Sequence, residues 1–188
     1  MPGSSGLSAR FFVALLLPLE VETYANRVIA ELGDRYRTRT AKAAPHITLQ
    51  PPFLWKTDAQ SLDALGQEVK AIAAAHPPVP VSLSGFGAFK PRVVYLNVNK
   101  TEALLGLQAG VAHHLAAQLN IVDPTANRGY SPHVTVASRN LSPTLFRRIW
   151  DELQDRPVQF EFLCDRLTLL VYKERWYTHS EYALAKVT

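Results

Sequence analysis

The stretch Pro45-His46-Ile47-Thr48-Leu49 decides how this chain is read, because it returns as Pro132-His133-Val134-Thr135-Val136. Both copies follow the pattern Pro-His-aliphatic-Thr-aliphatic, a repetition that composition alone makes rare. Successive side chains of a β-strand point to opposite faces. The histidine and threonine of each copy therefore share one face, and the two aliphatics share the other. Two strands that each carry an imidazole beside a hydroxyl on a polar face are expected to form the two halves of one site.

Working outward, Phe11 to Leu17 is an unbroken apolar run closed by Pro18, the pattern of a strand covered on both faces. From Glu20 to about Tyr36, Val21, Tyr24, Val28 and Leu32 recur at helical spacing. The basic residues Arg35, Arg37, Arg39 and Lys42 lead into the first motif, as a solvated loop or as a phosphate-steering one. Gln50-Pro51-Pro52-Phe53-Leu54-Trp55 reads as a loop whose aromatics are either core lids or stacking surfaces for a base. A helix is expected over 59–75 and strands over 81–86 and 93–98. The latter are joined by a Gly- and aromatic-bearing segment that is a hairpin connection or a flap. A helix over 102–119 leaves His113 and His114 at its surface or edge, and a loop over 121–130 delivers the second motif. Ser142-Pro143 opens a further helix as cap and first residue, and strands over 158–163, 166–172 and 176–184 follow.

Strand, helix and Pro-His-x-Thr strand thus occur twice in that order. This is a weak internal duplication of a β-α-β unit. The expected organisation is a disordered leader over residues 1–9 and one bilobal domain over 10–188, with pseudo-repeat halves of about 10–90 and 91–188.

The composition bounds the function. A chain of 188 residues is long enough for a sizeable core. A formal charge of +4 permits an anionic substrate such as a nucleotide or RNA end, and falls short of the basic stripe of a duplex-binding protein. Cys164 is the only cysteine, so neither a disulfide framework nor a cysteine-based metal site is expected. The apolar run near the start is short and ends in Pro18. It is read as a strand and not as a signal segment, and the protein is expected to be cytoplasmic, without membrane association, and monomeric.

Two histidines facing one cleft suit phosphodiester cleavage. One neutral imidazole takes a proton from water or a ribose hydroxyl, and the other, protonated, donates to the leaving oxygen. Each threonine hydroxyl can donate to a non-bridging phosphate oxygen, where charge develops. No metal is needed for this chemistry, and a two-histidine metal site lacks an evident third ligand because no carboxylate lies near either motif. A serine hydrolase would need a nucleophile elbow that the chain does not contain.

The paired motifs, the apolar first strand and the loop aromatics between them resemble the 2H phosphoesterase superfamily, in particular its LigT-like, or 2′-5′ RNA ligase-like, branch. The likeness runs from about Arg10 to Leu184. It implies an α+β fold of two pseudo-symmetric β-α-β halves, with antiparallel sheets around a central groove, and no cofactor. The activity implied is hydrolysis of 2′,3′-cyclic phosphates on nucleotides or RNA ends to a 2′-phosphomonoester. The alternatives are 2′-5′ RNA ligation, cleavage of 2′-5′ linkages, or binding without turnover. By the same resemblance His46 and His133 are acid and base, and Thr48 and Thr135 hold the phosphate. Gln50-Pro51-Pro52-Phe53 departs from the Phe-Leu-Gly stretch usual after the first motif and resembles a different branch. Phe53, Trp55, Phe89 and Tyr130 are candidates for stacking on a base, and Arg139 for contacting phosphate.

Overall fold

The computed structural model describes residues 7–40 and 42–185. In chain order its elements are β1 (Ser8–Leu16), α1 (Leu19–Tyr36), β2 (His46–Lys56), α2 (Ala59–Ala75), β3 (Val79–Phe89) and β4 (Val93–Val98). There follow α3 (Glu102–Leu119), a 3-10 turn at Ala126–Arg128, β5 (His133–Ala137), α4 (Pro143–Leu153), β6 (Gln159–Cys164), β7 (Arg166–Tyr172) and β8 (Trp176–Ala183). The strands form two four-stranded antiparallel sheets, ordered β2-β1-β7-β8 and β5-β4-β3-β6. The apolar run does sit centrally: Phe11, Val13 and Leu15 are buried on one face of β1, and Phe12 and Ala14 on the other.

The duplication is visible in three dimensions. The antiparallel pairs β1–β2 and β4–β5 correspond, and each motif strand lies at the edge of its sheet. The helix of each unit packs against the motif strand of the other, α1 on β5 and α3 on β2, and the two motif strands also touch directly. Backbone bonds between Arg39 and Arg139 tie the approach to β2 to the end of β5. On the outside, Arg35–Glu152 holds α1 to α4, and Arg156 just past α4 meets Glu31 at 2.8 Å, exposed pairs that each contribute little. Helix starts follow local chemistry, with Asp58, Thr101 and, as expected, Ser142 each accepting a backbone N–H from three residues on.

Three expectations change. Ser8 and Ala9 belong to β1, paired with Lys56 and Trp55, so β1 begins inside the stretch read as a leader; residues 1–6 lie outside the described residues. Gln50 to Trp55 is strand, not loop. The two prolines are tolerated because β2 is an edge strand, and the register shifts between Phe11 and Ala14 absorb them as a bulge. Nor do the sheets follow the chain halves: β3 joins the sheet of β4 and β5, and β7 and β8 return to that of β1 and β2.

Strand alternation in β2 sets its own test. Leu49 is 1% exposed and Leu54 71%. Leu49→Ala is expected to cost about 2–5 kcal/mol, and Leu54→Ala less than about 0.5 kcal/mol, in urea unfolding. Equal costs would contradict the strand.

Candidate functional site

The back faces of the two motifs are sealed: Ile47 and Val134 are 0% exposed, and Leu49 and Val136 lie equally deep. That burial turns His46, Thr48, His133 and Thr135 to the opposite face, where all four are half-buried. Across the groove, His133 and Thr48 border one cavity of about 760 Å³, and His46 and Thr135 border another of about 110 Å³. Each imidazole thus shares a cavity with the threonine of the other motif.

The two histidines are wired alike. His46 Nδ1–H donates to the Ala44 carbonyl and His133 Nδ1–H to the Ser131 carbonyl, each at 2.7 Å and each two residues back across a proline. A carbonyl can only accept, so Nδ1 carries the hydrogen and Nε2 of each neutral ring is left with its lone pair. Burial pushes both imidazoles below the ordinary histidine value, opposed in each case by the carbonyl bond. His46 is lowered further by repulsion from His133.

Aromatic rings fix the imidazole planes. Phe12 lies 4.8 Å from His46, while Phe89 and Tyr95 lie 5.0 and 5.1 Å from His133. The Tyr95 ring sits directly over Gly87, where an added Cβ would approach to 2.2 Å, so glycine at 87 leaves room for that ring in its tilted place beside His133. Tyr130 donates its hydroxyl to the Thr48 carbonyl at 2.9 Å, linking the loop before the second motif to the first; burial pushes its phenol up, so it stays neutral.

Of the sequence candidates, His46, Thr48, His133 and Thr135 come together, and Phe89 and Tyr130 line the larger cavity. Phe53 and Trp55 do not line either motif cavity. Phe53 stacks on Phe11, and Trp55 packs on the core with its indole N–H bonded to the Ser61 carbonyl at 2.7 Å, which is the lid reading. Arg139 is exposed beside Arg39 and lines neither cavity; Arg35 is bound to Glu152, and Arg37, Arg39 and Lys42 are exposed. His114 meets Glu68 between α3 and α2 at 2.6 Å, away from both motif cavities, and His113 is exposed.

Sequence reasoning missed Phe12, Tyr95, Gln108 and Arg128. Gln108 is a polar residue beside the apolar stripe of α3 that lines the larger cavity and bonds the Leu49 carbonyl at 3.3 Å, and Arg128 stands five residues before His133. Only Tyr95 was signalled, by its alternation with Val94 and Leu96 on the strand beside the motif. Among the described residues, no three histidine, cysteine or carboxylate side chains gather where they could hold a metal ion. No helix among them is long and apolar enough to cross a membrane.

Residues 18–176 match the family model of the 2′-5′ RNA ligase superfamily. A Staphylococcus haemolyticus protein proposed to be a phosphoesterase is 30% identical over 158 residues, covering 80% of this chain and 87% of its own length. A Geobacillus kaustophilus protein with the same proposed activity is 27% identical over 168 residues, covering 88% and 89%. Among solved structures, a Thermus thermophilus protein superposes with a TM-score of 0.70 at 19% identity, over 95% of this chain and 100% of that one. Escherichia coli LigT superposes with 0.66 at 22% identity, over 95% and 98%, and has been crystallised with 3′-AMP and with phosphate. At these identities the likeness is one of fold.

The coupling of the two rings is measurable. In NMR titrations both imidazoles are expected to titrate below the ordinary value, with the Nδ1–H tautomer when neutral. His133→Gln is expected to raise the His46 value, because the repelling charge is gone while burial remains. An unmoved His46 would show that the rings are not coupled.

Proposed function

This chain belongs to the 2′-5′ RNA ligase superfamily, and we propose that it is a metal-independent 2H phosphoesterase acting on nucleoside or RNA-end 2′,3′-cyclic phosphates. The observation that carries this reading is the matched pair of imidazoles, each held by its Nδ1–H with Nε2 left available. In the reaction proposed, one neutral Nε2 takes a proton from water as the water oxygen bonds to phosphorus. The bond from phosphorus to the 3′ oxygen breaks, and the other Nε2–H gives its proton to that oxygen. The product is a 2′-phosphomonoester, and the two rings exchange protons with solvent before the next turnover. Thr48 and Thr135 hydroxyls donate to the non-bridging oxygens as negative charge grows there.

The repulsion that His133 adds to the lowering of His46 favours one protonated and one neutral ring, the division of roles that an acid and a base require. The unequal cavities support a cyclic substrate. A single nucleoside on the His133 side uses the 760 Å³ cavity, whereas a 2′-5′ linkage or a ligation reaction places a second nucleoside where only about 110 Å³ is open. The names of the relatives support a phosphoesterase, and the 3′-AMP and phosphate ligands of LigT support a small nucleotide substrate.

Wild type is expected to hydrolyse the nucleoside 2′,3′-cyclic monophosphates in EDTA to a single phosphomonoester. His46→Ala and His133→Ala are each expected to lower kcat by about 10²–10⁴. Both imidazoles are depressed, so the base stays neutral to lower pH and the acid gives up its proton sooner. The bell of kcat/KM is therefore expected to centre on the acid side of 6.5. Wild-type rates in either alanine variant would overturn the mechanism.

A further inference from the structure

We propose that the larger cavity takes a nucleotide with a second phosphate at its 5′ end, and that Arg128 binds that phosphate. The inference rests on the cyclic-phosphate reading for the first phosphate and concerns the far side of the same ligand.

Three features of the cavity carry it. Thr48 and His133 stand at one part of its lining, where the reacting phosphate is placed. Leu49, Pro51, Pro52, Phe89, Ala112 and Tyr130 make a largely apolar wall suited to a flat ring and a sugar. Arg128 is the only arginine or lysine in the lining, and it forms no ion pair among the described residues. A ligand that uses all three is anionic, then flat and apolar, then anionic again.

The loop that bears Arg128 is anchored. The Arg128 amide closes the 3-10 turn on the Thr125 carbonyl at 2.9 Å. Gly129 follows with φ of +71°, a conformation that glycine adopts without strain. Tyr130 then bonds the Thr48 carbonyl, and the Ser131 carbonyl receives the His133 Nδ1–H. The guanidinium therefore hangs from a segment whose next residues are fixed to both motifs. Asp123, the only carboxylate in the lining, has Oδ1 engaged by the Thr125 amide and hydroxyl, each at 2.7 Å. A guanidinium can meet a phosphate through two parallel N–H donors, and lysine cannot.

The test compares adenosine 2′,3′-cyclic phosphate carrying a 5′-hydroxyl, the same compound carrying a 5′-phosphate, and the dinucleotide whose 5′ phosphate is a diester. For wild type, kcat/KM is expected to be about tenfold or more higher for the 5′-phosphorylated compounds, mainly through KM. The two arms show whether a free monoester or a chain phosphate is preferred. Arg128→Ala is expected to collapse the ratio between substrates to within about threefold, and Arg128→Lys to retain part of it. The same comparison by calorimetry, adenosine 2′,5′-bisphosphate against adenosine 2′-monophosphate, needs no turnover. Absent turnover with a preserved, Arg128-dependent binding preference would strike the hydrolase reading alone. Equal binding of the two ligands by wild type, or a preference that survives Arg128→Ala, would overturn the proposal.

Discussion

Everything at the site depends on four aliphatic side chains that never touch a substrate. Ile47, Leu49, Val134 and Val136 are sealed into the core. Because strand side chains alternate with a period of two, sealing them forces His46, Thr48, His133 and Thr135 to the groove. A slip of one residue in either strand would put an imidazole and a hydroxyl into the core and two aliphatics into the water. The hydrophobic effect thus sets the direction of the polar groups more firmly than any hydrogen bond among them. The exchange of helices, α1 onto β5 and α3 onto β2, then fixes the two strands relative to each other.

Within that frame the prolines have a plain physical role. Proline confines the residue before it to extended backbone, and that residue, Ala44 or Ser131, supplies the carbonyl that holds Nδ1. A restricted carbonyl gives a restricted imidazole. Both rings are then backed by aromatics whose own positions come from the sheets: Phe12 from the central strand β1, and Phe89 and Tyr95 from the hairpin of β3 and β4. The histidines are consequently poised by covalent geometry, one hydrogen bond and ring packing, with no carboxylate partner among their hydrogen bonds.

Much of this was legible in the chain. The repeated motif, the central apolar strand, the helices at 59–75 and 102–119 and the Ser142 cap were all signalled by local pattern, because each follows from period, capping or β-branching within a few residues. What was not legible depends on pairing. Phe12 lies in an unbroken apolar run, where alternation cannot say which residues face a groove. Phe53 and Trp55 follow a bulge in β2, and a bulge moves side chains from one face to the other without a mark in the sequence. The two prolines at Pro51 and Pro52 signal a loop anywhere except on an edge strand, and edge position is a property of the sheet. Gln108 and Arg128 reach the cavity from a helix and a loop whose placement is tertiary.

The symmetry of the fold and the asymmetry of its groove answer to different demands. Acid–base chemistry at phosphorus needs two similar groups on opposite sides of one atom, and a duplicated unit supplies them with matched backbone wiring. Recognition needs the two sides to differ. The difference arises where the units diverge, in the connections that precede each motif. The segment before His46 is drawn against β5 by the Arg39–Arg139 bridge and leaves little space. The segment before His133 carries the 3-10 turn and is tied to the motifs near its end, by Tyr130 to the Thr48 carbonyl and by the Ser131 carbonyl to His133, and it borders the larger cavity. Changes in that one connection can alter what the groove accepts while leaving the buried aliphatics, and hence the orientation of the histidines, untouched.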